Sequence, residues 1–461
     1  MGFFFTLVYL ALSLIRPAEL FPGLATYHVM DVVAALAAAG SLLNLLAGRG
    51  PSFRAPQMYL AAAFVAWAGF SVLATQRWMG GALHATAELA TNGFLFLLIT
   101  LNIDDLPRLE WARRALVLFG LWLVIQGGAA YFFHRGEALF IVHQRADESL
   151  EDGGGSGDDQ EPAPENGVAE DSGTEAAVPG PVIRRMRSLG FLQDPNDLAQ
   201  LLVGILPLVF LEWRPHRTAR NTLLVLPAAA LLLAGILLTR SRGGLVAVAA
   251  MALFAAFHFG NRIVSSLLGV AMGAGLIVGP SFVRRYVLGD ESSLGRVEAW
   301  YQGLQMLKGS PLWGVGYGNF TEYNHLVAHN SYIHCLAELG VVGYSFWVGM
   351  IIVTFHDLRV LFRKPGGEEP RLQGPPDGEL RRWATASALS LIGFLAGAFM
   401  LSRMYSPTFF IFLGLATALA DVARRAGRPV APFSPLGWVF AVATAEVVTV
   451  AVVYGMVRLV R

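Results

Sequence analysis

The chain has 461 residues, of which 55% are hydrophobic and 15% are charged, and its formal net charge at pH 7 is +1. Since a soluble domain carries roughly 25% charged residues, a chain of this length lacks the polar surface that a water-surrounded globule needs. Its basic residues are scattered between apolar runs, so we expect no nucleic acid partner. Cys335 is the single cysteine, which excludes an intrachain disulfide and a site built from several thiolates.

Apolar runs of near-spanning length recur along the sequence and predict one all-α, polytopic membrane domain over residues 1–461 with about 12–13 transmembrane helices. The first run is shorter than the ~20 residues that cross a bilayer core. Because no basic residue precedes it, we expect an uncleaved span and not a signal peptide. The predicted runs lie at 3–15, 27–47, 57–74, 83–102, 112–133, 196–211, 222–239, 243–259, 263–282, 335–361, 383–401, 407–423 and 434–457.

Lysine and arginine recur in every second connection, and the positive-inside rule places these connections in the cytoplasm. The opposite, periplasmic set then contains two long segments, 134–195 and 283–330. Between Asp147 and Glu175 the first segment holds eleven acidic residues and no Lys or Arg. With so little apolar surface to bury, it predicts a disordered acidic insertion over 147–180.

The second periplasmic segment is predicted to carry an amphipathic helix and part of an active site. Apolar residues follow helical spacing after Ser292, and Lys308-Gly-Ser-Pro311 ends the helix, which we expect to lie at the membrane surface. The glycines of 313–320 then permit left-handed backbone. This stretch lacks the Lys-Ser/Thr of a P-loop, so it does not predict nucleotide binding.

Several polar groups from separate segments are predicted to reach the same periplasmic face, because an even number of spans lies between them. They are Arg184, Arg185, Arg187, Asn196, Arg240, Arg242, Arg296, His325, His329 and Arg403. A guanidinium donates paired hydrogen bonds to phosphate and keeps its charge, so the cluster predicts an anionic ligand. The alternative is that Arg240 and Arg242 extend to the lipid interface and contact lipid phosphates.

His329 precedes Asn330-Ser331, a pair typical of a helix N-cap, so its imidazole is predicted at the periplasmic end of a span. A neutral imidazole there can accept the proton of a sugar hydroxyl. The alternative is a histidine that only makes interfacial hydrogen bonds. A zinc site with His334 and Glu338 is disfavoured, because the sequence has no His-Glu-x-x-His motif. We therefore expect neither a metal nor a cofactor.

Five motifs in this order resemble the O-antigen ligase and O-antigen polymerase superfamily of bacterial envelopes. They lie at 190–199, 238–245, 294–300, 314–320 and 329–343, with Thr-Arg-Ser-Arg-Gly-Gly in the second and His-Asn-Ser-Tyr-Ile-His in the last. The resemblance implies a GT-C-like membrane fold in the bacterial inner membrane. It also implies metal-independent transfer of glycan from undecaprenyl pyrophosphate, at the periplasmic face, to a hydroxyl of a glycan, lipid A core or protein acceptor.

The same resemblance implies roles for individual residues. Arg242 and Arg296 match the arginines that bind pyrophosphate, and His329 matches the histidine that activates the acceptor hydroxyl. Asn196, Asn330, Tyr332 and Glu338 match positions that shape the site. With Arg187 and Arg240 from the basic cluster added, the predicted substrate-binding residues are Arg187, Asn196, Arg240, Asn330, Tyr332 and Glu338.

A transporter or flippase of lipid-linked sugar is the alternative from a different functional class. It is kept open by ionisable residues in or near the apolar runs, namely Asp31, His84, Glu88, His258, His356 and Glu446. A transporter predicts charged groups midway through the membrane and two pseudo-symmetric halves, whereas the arginines and His329 collect at one predicted face. Ligase and polymerase differ only in the acceptor, and the sequence leaves that choice open.

Overall fold

The computed structural model describes residues 1–48, 55–145, 182–260, 291–362, 377–428 and 434–460, with the isolated positions 263, 266, 267 and 269. Long helices dominate this part of the chain and confirm the all-α, polytopic membrane class. We number them α1 (Gly2–Ile15), α2 (Val29–Leu46), α3 (Pro56–Gln76), α4 (Met79–Asn102), α5 (Leu106–Phe133), α6 (Pro195–Val209), α7 (Leu226–Leu238), α8 (Arg242–Phe259), α9 (Glu291–Gly309), α10 (Ser331–Phe362), α11 (Asp377–Ala398), α12 (Pro407–Arg425) and α13 (Pro435–Val460).

Ten helices of the described part are long and apolar enough to cross a membrane. They are α2 to α8, α10, α12 and α13, with α6 extended to Glu212 and α7 begun at Thr218. The apolar helix α1 is shorter, and α9 covers the sequence predicted to form an amphipathic helix. The predicted insertion at 147–180 and nearly all of the predicted span at 263–282 lie outside the described residues.

Several helices begin at a side-chain cap, which satisfies backbone N–H groups that the first turn leaves without partners. Asp105 accepts from the backbone N of Arg108 at 2.7 Å, and Asp194 accepts from the backbone N of Asn196 at 2.8 Å. Ser241 accepts from the backbone N of Gly244 at 3.1 Å at the start of α8. These caps fix where α5, α6 and α8 begin.

The centre of the bundle is formed by α6, α10 and α12. In their apolar windows 78%, 72% and 89% of residues are buried, against 11% in α13, so α13 lies at the periphery. Gly204 permits close packing of α6 and α12, because a Cβ at this position would overlap the ring of Phe412. The core helices therefore pack mainly against protein, and the outer helices present apolar residues to lipid.

One feature of the fold departs from the prediction: a short antiparallel hairpin lies inside the segment 134–195. Its strands are β1 (Ile141–Arg145) and β2 (Val182–Met186), paired so that Val142 lies opposite Arg185. The two strands are separated in the sequence by the long acidic stretch and not by a tight turn, so the sequence carries no hairpin signal. The hairpin brings Arg184 and Arg185 to the end of the helix bundle.

A second departure is the interruption of α10 at Gly340, where φ is 64° and ψ is −171°. The segment 310–319, which we call the glycine-rich loop, is hydrogen-bonded to the interrupted helix: Val315 N donates to Ala337 O and Gly316 N donates to Glu338 O, both at 2.9 Å. Val341 N donates in turn to Pro311 O at 2.9 Å. Non-helical backbone is tolerated in a membrane protein where the protein itself satisfies it. The loop thereby fixes the first turns of α10.

The predicted left-handed backbone of the glycine-rich loop is confirmed. Gly314, Gly316 and Gly318 have φ values of 68°, 99° and 76°. At Gly314 a Cβ would overlap the backbone carbonyl of Glu338. Glycine is therefore required here both by the dihedral angle and by the close approach of α10.

Candidate functional site

Four chain segments meet at one end of the bundle, which we call the site end. They are the start of α6, the turn between α7 and α8, the start of α10, and residues 399–406 between α11 and α12. Arg185 of β2 joins two of them, because its Nη2 donates to Asn196 Oδ1 and its Nε donates to Thr239 O, each at 3.0 Å. The hairpin is thus hydrogen-bonded to the first turn of α6 and to the α7–α8 turn.

Arg296 lies near the start of α9 and close to two other guanidinium groups. Burial lowers the pKa of Arg296, and the positive charges of Arg242 and Arg185 lower it further. An arginine still keeps its proton at any physiological pH, so the arrangement brings like charges together. Arg242 also opens α8, whose N-terminus carries the positive end of the helix dipole. An anion bound among these groups would relieve their repulsion.

His329 sits beside this cluster, in left-handed backbone with φ of 46°. Its position is tied to that of Arg296 through α9, because Trp300 Nε1 donates to Ala328 O at 2.7 Å. Burial, together with the positive charges of Arg296 and Arg403, lowers the pKa of His329 to about 4, although the negative charge of Asp194 opposes them. At neutral pH the imidazole is therefore uncharged and has a lone pair to accept a proton.

The predicted N-cap of α10 is confirmed. Asn330 Oδ1 accepts from Tyr332 N at 3.0 Å and from Ile333 N at 3.3 Å. Asn330 is fully buried, and its Nδ2 has no hydrogen-bond partner within the described part of the chain. A buried amide donor without a partner is uncommon in proteins. This unpaired donor belongs to the residue that follows His329.

Arg403 belongs to the site end, although no role was predicted for it. Its Nη2 contacts Asp194 Oδ2 at 2.6 Å and its Nε contacts Asp197. Its backbone N donates to Ser331 Oγ at 2.7 Å. The sequence placed Arg403 on the correct face, but the carboxylates that bind it are distant in sequence and gave no signal.

Two of the predicted substrate-binding residues make contacts inside the protein. Glu338 is 2% exposed; its carboxylate accepts from Phe320 N at 3.1 Å and Tyr405 OH at 2.9 Å, and it pairs with His334 at 3.0 Å. Tyr332 OH donates to Leu395 O at 3.0 Å. Glu338 thus holds the glycine-rich loop to α10, and direct substrate binding by either residue stays a prediction.

Other predicted residues lie at the edge of the site end. Arg187 donates from Nη2 to Ala138 O at 3.0 Å, and Arg240 is exposed, with Nη2 at 3.5 Å from Tyr131 OH. His325 is also exposed. The basic triplet consists of Arg184, Arg185 and Arg187. Of these, Arg185 donates a hydrogen bond to Asn196, and its positive charge lowers the pKa of Arg296. From the sequence we selected Arg187 of the triplet as a substrate-binding residue, and this stays a prediction, because the member that contacts substrate depends on how the hairpin packs.

A metal site is not formed by the described residues: no group of three or more His, Cys, Asp or Glu is arranged to hold an ion. His334 Nε2 faces Glu338, whereas His325 lies on the surface. The positive charge at the site end is supplied by side chains. The arrangement is suited to an anion placed between guanidinium groups and next to a neutral imidazole.

Comparison with protein families gives a match over residues 227–348, to the family described as O-Antigen ligase. The matched segment runs from α7 into α10 and contains Arg242, Arg296 and His329. Asn196 and Arg403 lie outside it. No curated protein matches the chain.

Proposed function

Since residues 227–348 match the family described as O-Antigen ligase, we propose that the chain belongs to the O-antigen ligase and polymerase superfamily and is a lipid-linked oligosaccharide glycosyltransferase. The proposed donor is a glycan carried on undecaprenyl pyrophosphate. The proposed acceptor is a hydroxyl of a second glycan, of lipid A core or of a protein. The polyprenyl chain would lie between helices in the membrane, with the diphosphate at the site end.

The observation that carries this proposal is the juxtaposition of Arg185, Arg242 and Arg296, from three separate elements, beside the uncharged His329. A diphosphate offers several oxygens, each able to accept paired N–H groups from a guanidinium. Neither a neutral sugar nor a hydrocarbon chain would need such a concentration of positive charge. The buried Nδ2 of Asn330 supplies a further donor next to the imidazole.

The proposed reaction uses these groups as follows. The acceptor oxygen attacks the anomeric carbon of the donor, and His329 takes the hydroxyl proton. The bond between the anomeric carbon and the diphosphate oxygen breaks, and its electron pair stays on that oxygen. Undecaprenyl pyrophosphate leaves, and a new glycosidic bond joins glycan to acceptor.

Negative charge grows on the departing diphosphate during this step. Arg242 and Arg296 would stabilise it, and a well-placed donor of this kind is worth about 3–4 kcal/mol in comparable sites. Because guanidinium groups are fixed and permanently charged, they would replace the divalent cation that many transferases use. The proposed mechanism is therefore independent of metal.

We place the protein in the bacterial inner membrane with the site end facing the periplasm. The end opposite the site carries Arg113, Arg114, Arg220, Arg424 and Arg425, which fall in the connections predicted to be cytoplasmic. A periplasmic site end fits donors that have already been carried across the membrane. The acceptor would be met in the same compartment.

The test is a transfer reaction with the purified protein in liposomes, with an undecaprenyl-pyrophosphate glycan and a candidate acceptor, in the presence of EDTA. We expect glycosylated acceptor and free undecaprenyl pyrophosphate in equal amounts. His329→Ala should abolish both products, and His325→Ala should retain them because His325 is exposed.

Full transfer by His329→Ala would refute the base assignment, and loss of transfer with EDTA would refute metal independence. Movement of the donor across the bilayer without any transfer would support the flippase alternative instead.

A further inference from the structure

The guanidinium of Arg403 is directed at protein groups and not at the cluster of Arg185, Arg242 and Arg296. Its Nη2 is 2.6 Å from Asp194 Oδ2, its Nε contacts Asp197, and its Nη1 donates to Ser402 O at 3.1 Å. Both carboxylates flank the first turn of α6. Each nitrogen thus binds a protein oxygen, and two of these oxygens belong to carboxylates, so the charge of Arg403 is already paired within the protein.

The backbone of the same residue holds the start of α10. Arg403 N donates to Ser331 Oγ at 2.7 Å, and Ser331 Oγ donates to Leu401 O at 2.6 Å. Ser331 is fully buried and is the first residue of α10, two positions after His329. Arg403 therefore connects the start of α6 to the chain segment that carries the imidazole.

The start of α6 is in turn connected to the arginine cluster. Asn196, which lies between Asp194 and Asp197 in the sequence, accepts a hydrogen bond from Arg185 Nη2 at 3.0 Å. The positive charge of Arg185 in turn lowers the pKa of Arg296. A continuous series of hydrogen bonds and ion pairs thus runs from Arg185 through the first turn of α6 to Arg403 and Ser331. This series joins the arginine cluster to the segment that carries His329. The proposed reaction requires a fixed distance between the two.

We propose that Arg403 is a positioning residue of the transfer, which through Asp194, Asp197 and Ser331 sets the distance between the donor-binding arginines and the His329 imidazole. This inference rests on the proposed function. An error of 1 Å in such a distance can cost about 100-fold in rate, whereas donor binding would need the arginine cluster alone.

The charge of Arg403 provides a second readout. The ionisable groups that shift the pKa of His329 are Arg296 on α9, Arg403, Asp194 before α6 and His334 on α10. Arg403 lowers the pKa of His329, so its removal should raise that pKa. A purely structural residue would not change the pH dependence of transfer in this direction.

The experiment compares Arg403→Lys and Arg403→Met with the wild type in nanodiscs, by kcat, by the affinity for undecaprenyl pyrophosphate and by the pH profile. Arg424→Lys is the matched control, because Arg424 pairs with Asp357 at 2.7 Å at the opposite end of the bundle. We expect kcat to fall about 10- to 100-fold in both Arg403 variants, with donor affinity within about threefold of wild type. The acid limb of the pH profile should move to higher pH in Arg403→Met, and Arg424→Lys should change none of these values.

Ser331→Ala keeps every charge and tests the same connection if an Arg403 variant fails to fold. It should lower kcat with donor affinity unchanged. A parallel loss of kcat and donor affinity in the Arg403 variants would make Arg403 a ligand, and unchanged kcat in all variants would remove the positioning role. If the wild type transfers no glycan, the proposed function fails; if the wild type is active and the variants match it, only this inference fails.

Discussion

The two ends of the helix bundle use arginine in opposite ways. At the end opposite the site, Arg113 is almost fully buried and contacts Glu110 at 2.6 Å and also Glu212. At the site end, the charges that lower the pKa of Arg296 are those of other arginines. The first arrangement pairs guanidinium groups with carboxylates, whereas the second brings like charges together, and we propose that a bound anion offsets them. The partners of the arginines, and not their number, separate a structural cluster from a ligand site.

Arg403 shows that the two arrangements also coexist at the site end. It pairs with Asp194 and Asp197, and these carboxylates raise its pKa against the opposing effect of burial. The ion pairs at the opposite end also join arginines to carboxylates. A variant at each kind of arginine should therefore affect different properties of the protein: stability where carboxylates alone hold the guanidinium, and activity where guanidinium groups lie close to one another. Arg403 also holds the segment that carries His329, so its variants should affect activity as well.

The largest expected effect on stability is that of Arg113→Met. Removing one partner of a buried ion pair costs about 3–5 kcal/mol, and we expect a loss near the lower end of this range, because Glu110 and Glu212 keep Arg114 at 3.8 and 3.4 Å. The free energy of unfolding in detergent measures this loss. Arg217→Met is the control, because Arg217 is exposed at the same end, and equal stability of both variants would contradict the comparison.

Arg296→Lys should act on transfer and not on stability. Lysine keeps the charge but loses the two parallel N–H groups, so we expect a loss of about 100-fold in kcat/KM. Lys308→Gln, at the end of the same helix, should leave transfer unchanged. A wild-type rate in Arg296→Lys would favour a simple interaction of Arg296 with lipid phosphates.

Gly340→Ala should destabilise the site end by about 1–3 kcal/mol. Alanine at this position would adopt a positive φ and its Cβ would overlap the carbonyl of Leu312 in the glycine-rich loop. Thermal unfolding in detergent measures the effect. Gly128→Ala is the matched control, since Gly128 lies inside α5 with open space where the alanine methyl group would stand. Equal melting points of the two variants would show that the loop contact is not tight.

The variants Arg185→Gln and Arg187→Gln test which of these two arginines is needed for transfer. Arg185→Gln loses the hydrogen bonds to Asn196 and Thr239, so transfer should fall roughly tenfold. Arg187→Gln should remain near the wild-type rate, because Arg187 donates from Nη2 to Ala138 O, whereas the charges that lower the pKa of Arg296 are those of Arg242 and Arg185. The reverse order of effects would support the prediction that Arg187 binds substrate.

The smallest expected effect is a shift in pH dependence caused by the donor. In the free protein the pKa of His329 is about 4, so the imidazole is neutral above that pH and is protonated below it. A bound diphosphate offsets the charge of Arg296, so it should raise this pKa. The acid limb of kcat should then lie at higher pH than the acid limb of kcat/KM for the donor. Coincident limbs would argue against a diphosphate next to His329.

Local sequence signals were sufficient for the helices and for some of their ends. Hydrophobic runs gave the membrane class, and the Asn330 cap was predicted because an Asx residue before a helix bonds to its own first turn. The hairpin, the interruption at Gly340 and the role of Arg403 could not be predicted. Each depends on partners distant in sequence, such as Pro311 for Val341 and Asp194 for Arg403.

The most direct measurement of the central claim is the affinity of the purified protein, in nanodiscs, for undecaprenyl pyrophosphate and for undecaprenyl monophosphate. We expect tighter binding of the diphosphate, a preference that Arg242→Gln and Arg296→Gln should each reduce and that Arg114→Gln, at the opposite end, should leave intact. Equal affinity for the two lipids, or an undiminished preference in both site-end variants, would contradict it.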